Sequence, residues 1–195
     1  EPVYGPRDVP DLEKIRELGL PFWLAGSYGA PDKLTEARRL GAAGIQVGTA
    51  FAFCEESGIR ADLKQQVLQF SREGKAGVFT DPLASPTGFP FKVVQLPGTL
   101  SDAHANPPRT RLCDLGYLRH AYRKPDGTLG YRCPAEPVQD FVRKGGAAAD
   151  SEGRLCVCNG LVSTIGLPQV HADNTLDLPL LTAGNDVSQV ARYLQ

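Results

Sequence analysis

The chain contains no methionine. A translated product begins with one, so the sequence reads as a processed, excised or truncated part of a longer polypeptide. No uninterrupted apolar run approaches the roughly 20 residues needed to span a bilayer. No charged segment followed by an apolar one opens the chain as a secretion leader would. These absences argue against a membrane-spanning helix and make the cytoplasm the expected location. Neither sign of charge is in excess: 21 Lys and Arg stand against 22 Asp and Glu. The resulting net charge of −1 lacks the basic surplus of a nucleic-acid binder. Histidine is scarce as well. His104, His120 and His171 each fall in a loop-like or turn-like stretch and read as solvated or locally bonded, so no catalytic base is assigned among them.

What is present fits an ordinary soluble protein. A length of 195 residues suits one domain or a domain with an appendage. Of these residues 21 are Gly and 16 are Pro, most in the middle and C-terminal portions, so loops are expected there. Asp8 before Val9-Pro10, with Leu12, Ile15 and Leu18 at helical spacing, predicts a capped helix over about 10–18 with one buried face. Pro21 to Ala25 reads as a short buried strand. Pro31 to Leu40 reads as a helix closed by Gly41, with Leu34, Ala37 and Leu40 on one face. Ile45 to Val47 is the next strand, parallel to the first because a helix joins them. Phe51 to Glu56 starts another helical segment. Asp62 to Glu73 is a further helix, with Leu63, Val67 and Phe70 on its apolar side, and Ala76 to Phe79 is a candidate strand. Residues 80–90 form a proline-rich loop, and 101–111 a linker or surface loop. Asp126-Gly127 between two tyrosine-bearing segments is compatible with a hairpin. Val138 to Lys144 is a short helix before Gly145-Gly146. A last helix begins near Asn185 or Asp186, with Val187, Val190, Ala191 and Leu194 inward.

The stretch from Pro21 to Thr49 carries the candidate chemistry. Two short strands each end in a turn of small residues, Gly26-Ser27-Tyr28-Gly29 and Gly48-Thr49. Glycine lets the backbone approach a ligand closely. A helix N-terminus that follows adds oriented N–H groups suited to an anion. Ser27 and Thr49 add hydroxyls. Two readings stand on spacing alone: a phosphate cradle, or ordinary turns after parallel strands.

Gly44 to Phe51 (GIQVGTAF), within a wider match over about residues 15–100, resembles the last two βα units of the nitronate monooxygenase family, also called 2-nitropropane dioxygenases. The resemblance implies an α/β fold: the C-terminal βα units of an FMN-binding (β/α)8 TIM barrel, with a Cys-containing, loop-rich extension behind it. It divides the chain into 1–100, the end of the barrel, and 101–195, the extension with its C-terminal helix. It implies that Gly26, Ser27, Gln46, Val47, Gly48 and Thr49 hold the FMN phosphate, with serine at position 27 where the family has a second glycine. It further implies an oxidoreductase that oxidises small alkyl nitronates with molecular oxygen, a catalytic histidine upstream, and the rest of the barrel before Glu1 as a partner of these strands. Trp23 and Tyr28 are candidates for the pocket wall, or for packing. An FMN-dependent enoyl-acyl-carrier-protein reductase shares the barrel and the turns and is the enzyme alternative. A metal-stapled binding module without activity is the alternative of another class.

Four of the five cysteines, Cys113, Cys133, Cys156 and Cys158, gather in the C-terminal half. An odd count without a secretion leader argues against a disulfide framework. Four thiols suit tetrahedral zinc or an iron–sulfur cluster. The spacing, one Cys-x-Cys pair and two distant residues, is unlike the two close pairs of common zinc sites. Small buried hydrophobic cysteines, or a redox pair at Cys156 and Cys158, are the other readings. Cys54, among Phe51, Phe53 and acidic residues, reads as packing.

Overall fold

Local chemistry sets where each element starts. In this computed structural model, residues 1–84, 86, 88–102 and 111–193 are described. His104, most of the expected 101–111 linker and Leu194 lie outside them. Asp8 does not cap the first helix. It closes a 3-10 turn at Pro6–Asp8, where its carboxylate accepts the Gly5 N–H at 2.7 Å. Asp11 is the cap instead, accepting from the Glu13 and Lys14 N–H groups, and α1 runs Leu12–Glu17. The buried face expected for this helix is thin: Leu12 and Ile15 are half-buried and Leu18 is exposed.

A parallel βαβ unit follows. Strand β1 (Trp23–Leu24) pairs with β2 (Gly44–Ile45) in the register Trp23 to Gly44 and Leu24 to Ile45. Flanking bonds from Ala43 N–H to Phe22 O and from Gln46 N–H to Leu24 O extend the ladder. Between them, α2 (Pro31–Arg39) begins with Pro31 in its first turn and buries Ala37 completely. The short α3 (Thr49–Ala52) comes next. The longer α4 (Ala61–Arg72) turns Leu63, Val67 and Ser71 inward. A 3-10 helix at Asn185–Tyr193 packs against α4 through buried Val187 and Val190. Ser71 fixes that contact, donating its hydroxyl to Ser188 O and accepting the Ala191 N–H. These segments, Pro2–Val78 with Ala183–Gln195, form one compact unit.

The other unit comprises Phe79–Thr182 with Glu1. The change in composition near residue 100 falls inside it. Strand β3 (Val78–Asp81) lies two residues beyond the stretch expected from sequence and pairs with β4 (Phe91–Val94). The hairpin read from Asp126-Gly127 is present. Strand β5 (His120–Arg123) pairs antiparallel with β6 (Leu129–Arg132), His120 opposite Arg132. His120 thus stands on a strand rather than in a loop. Gly127, at φ 83°, supplies the left-handed residue the turn requires. Helix α5 (Val138–Arg143) buries Phe141 and ends at Gly145. Helix α6 (Val157–Thr164) was not foreseen; it buries Val157, Asn159, Gly160, Ser163 and Thr164. The core of this unit is Ala84, Val93, Leu100, Val157 and Leu180, flanked by Phe91, Leu118, Leu155 and Leu178. The architecture is mixed α/β with two-stranded sheets and short helices among the described residues. None of those helices is long and apolar enough to cross a membrane.

Candidate functional site

The two glycine turns leave the same end of the β1–β2 pair, because the strands are parallel and in register. Gly26 (φ 83°) and Ser27 (φ 64°) both adopt the left-handed backbone conformation. For Ser27 this is strained, and it is the position where the resembled family has glycine. A Cβ at Gly26 or Gly48 would meet nothing within 4 Å, so both backbones stand open. Among the described residues, the N–H groups of Gly26, Ser27 and Gly48 donate to no protein acceptor. Gln46 is exposed and Val47 half-buried. The turns touch: a Cβ on Gly29 would lie 3.3 Å from Val47 Cγ1.

Thr49 is different. It is buried, and its hydroxyl donates to Asp186 Oδ1 at 2.7 Å while accepting the Gly184 N–H at 3.0 Å. Asp186, read from sequence as a helix cap, therefore places a carboxylate beside the second turn. Tyr193 donates its hydroxyl to Gly29 O. Both residues are far from the turns in sequence, and no local pattern marks them. Trp23 is 57% exposed in this chain. Tyr28 lies half-buried with the Lys33 ammonium 5.7 Å from its ring centre. Cys54 donates its thiol to Phe51 O at 3.0 Å.

The four remaining cysteines meet. Cys113, Cys133, Cys156 and Cys158 line one small cavity of about 10 Å³, closed by apolar neighbours such as Leu118, Ala135 and Val157. No disulfide joins any of the five cysteines. Among the described residues, no three His, Cys, Asp or Glu side chains stand close enough together to hold a metal ion, so a shared ion would require the four thiols to move inward. Three tethers hold the contributing segments. Arg111 donates to Pro134 O at 2.9 Å and to Ser151 O at 2.7 Å, tying the Cys113 arm to the turn after Cys133. Glu136 N–H returns to Cys133 O at 2.9 Å, closing that turn. Asn159, buried on α6, donates to Leu112 O at 3.5 Å and to Asp177 Oδ2 at 2.7 Å.

Burial pushes the Cys113 thiol above its usual range, with the Glu136 carboxylate adding and Arg119 opposing. Burial also raises Cys133, opposed by the Ala135 N–H at its sulfur. Glu136 is 3% exposed, pairs through Oε2 with Lys144 at 2.7 Å and leaves Oε1 without a hydrogen-bond partner among the described residues. His171 is not solvated: its Nε2 lies 2.8 Å from Asp177 Oδ1, with both side chains largely buried. Comparison with models of known protein families, with curated proteins and with solved structures gives no match.

Proposed function

We propose that this chain supplies the phosphate-binding end of an FMN-dependent oxidoreductase of the nitronate monooxygenase type. The observation that carries the proposal is the pair of open turns at one end of two parallel strands, with the Gly26, Ser27 and Gly48 N–H groups unengaged among the described residues. Ligands of parallel α/β folds sit outside the carboxyl ends of the strands, where such groups can bind a phosphate.

The backbone fits that group. The side chains fit less well, because the Thr49 hydroxyl hydrogen is held by Asp186. In the proposed complex the backbone N–H groups and Gln46 hold the phosphate, and Asp186 must release Thr49 or turn away. When bound, FMN supplies the redox chemistry, electrons passing from an alkyl nitronate to the flavin and on to molecular oxygen. The chain's own share is positioning. The remaining strands of a (β/α)8 barrel would pair with the open edges of β1 and β2, and Trp23 would then face other protein rather than water.

The test is flavin content and flavin titration of the full-length protein, with oxygen uptake on an alkyl nitronate. The expected result is a yellow protein that oxidises the nitronate and loses FMN in Gly48→Val. Asp186→Asn, which removes the carboxylate, should bind FMN more tightly. A colourless protein that takes up no added FMN overturns the proposal.

A further inference from the structure

We propose that Cys113, Cys133, Cys156 and Cys158 form a tetrahedral four-thiolate site for a single zinc ion, which staples the unit 79–182. The proposal does not rest on the flavin reading.

Four side chains from three separated segments line the same cavity. Four thiols brought together from positions 113, 133 and 156–158 match the donor count of a four-thiolate site. The metal class follows from the donors. The cavity wall offers sulfur and no carboxylate, which disfavours calcium and magnesium and suits a soft or borderline ion. The size favours one of the two four-thiolate options. A cavity of about 10 Å³ is room for one water-sized body, hence for one ion rather than an iron–sulfur cluster.

Three neighbours work against the burial that raises the Cys113 and Cys133 thiols. The Ala135 N–H points at Cys133 Sγ, inside the turn closed by Glu136 N–H on Cys133 O. Cys156 is the N-cap of α6 and Cys158 its second residue, so both sulfurs lie at the positive end of an eight-residue helix. Arg119 is the one charged side chain among those lining the cavity, and it opposes the negative charge of four thiolates around a divalent ion. Arg111 and Asn159 play the part that outer hydrogen bonds play around metal sites, fixing the ligand segments through backbone carbonyls. On binding, each thiol loses its proton to solvent and the four sulfurs draw in to about 2.3 Å from one centre.

The test is elemental analysis of the full-length protein, purified anaerobically without chelator from cells supplied with both zinc and iron. The expected result is one zinc per chain, released in step with titration of four thiols by an organomercurial. Cys113→Ser, Cys133→Ser, Cys156→Ser and Cys158→Ser should each lose the ion, while Cys54→Ser keeps it. Because these variants can fail to fold, the unaltered protein is also exchanged into cobalt. A thiolate-to-cobalt charge-transfer band with the visible spectrum of a tetrahedral centre is expected. Iron with acid-labile sulfide, a native disulfide among the four, absence of bound metal, or a cobalt form without thiolate charge transfer overturns the proposal.

Discussion

Replacing Gly160 with alanine sets two physical effects against each other. Gly160 lies in α6, and alanine gains up to about 1 kcal/mol over glycine in a helix interior. On propensity alone the substitution stabilises. Packing says the reverse. The added Cβ would lie 2.6 Å from Leu180 Cβ and 3.0 Å from Leu100 Cδ1, with the Leu180 backbone N at 3.4 Å. Carbon atoms settle near 3.5–4.0 Å, so the helix and the Leu180 segment must separate by roughly 1 Å. The offending atom is a Cβ on a fully buried residue, not a flexible tip that can swing away. The Leu180 N–H to Gly160 O bond, and the Thr164 hydroxyl shared between Gly160 O and Leu180 O, pin the same approach. Overpacking costs about 1–3 kcal/mol, and the rigid contact puts this case at the upper end. The net expectation is a loss of about 2 kcal/mol, roughly a 30-fold shift toward the open state. Trp23 belongs to the other unit and will not report it. Hydrogen exchange of peptides covering 157–164 and 178–181 will. If Gly160→Ala exchanges as slowly as the parent or more slowly, the close approach of α6 to Leu180 is wrong.

Ser27→Gly should stabilise the unit containing Trp23 by about 0.5–1 kcal/mol. Relief of a left-handed serine outweighs the entropy of glycine, and urea denaturation followed by Trp23 fluorescence measures it. Lys144→Met leaves buried Glu136 with neither oxygen paired to a cation among the described residues. It should cost about 3–5 kcal/mol in chemical denaturation, largely recovered in the double variant with Glu136→Gln. Asp126 and Asp173 are held below the usual carboxylate range by the Thr128 and Thr175 hydroxyls. Their folded values are depressed, so the stability they give their turns is present above the ordinary carboxylate range and is lost as pH falls through the depressed values. An NMR titration of the two side-chain carboxyls should show midpoints below those of the urea-unfolded chain; equal midpoints refute the turn bonds.

What could be read from sequence was what local rules control. The βαβ unit was legible because Pro31 and Gly41 bracket α2 and small residues close both strands. Helix α4 and the inward Val187 and Val190 were legible from spacing. The hairpin was legible from Asp126-Gly127. The first cap was misplaced because Asp8 and Asp11 are equally good caps by residue type; only the Gly5 N–H decides that Asp8 belongs to the preceding turn. Helix α6 was missed because Val157, Gly160, Val162 and Thr164 have modest helix propensity, and tertiary burial rather than propensity holds them. Strand β4 was missed because FKVV is short and follows a proline. The candidate phosphate turns were named correctly as turns, yet the carboxylate beside them comes from Asp186, at a separation of 137 residues from Thr49. The four cysteines could be counted but not brought together by spacing. Their convergence depends on the hairpin, on Arg111 and on Asn159, whose bonds span 18 to 47 residues.

The division of the chain into units has a consequence for the order of folding. The unit with the four cysteines is built almost wholly from the continuous stretch Phe79–Thr182, whereas the unit with the glycine turns needs Ala183–Gln195 as well. Its α4, which carries buried Leu63 and Val67, cannot pack against the Asn185–Tyr193 helix until residues beyond 182 have been synthesised. Domains usually complete in the order in which they leave the ribosome. Here the later-translated unit can complete first, and the earlier one waits with its apolar helix face uncovered. During synthesis, that face of α4 stays open to water until the segment Asn185–Tyr193 arrives.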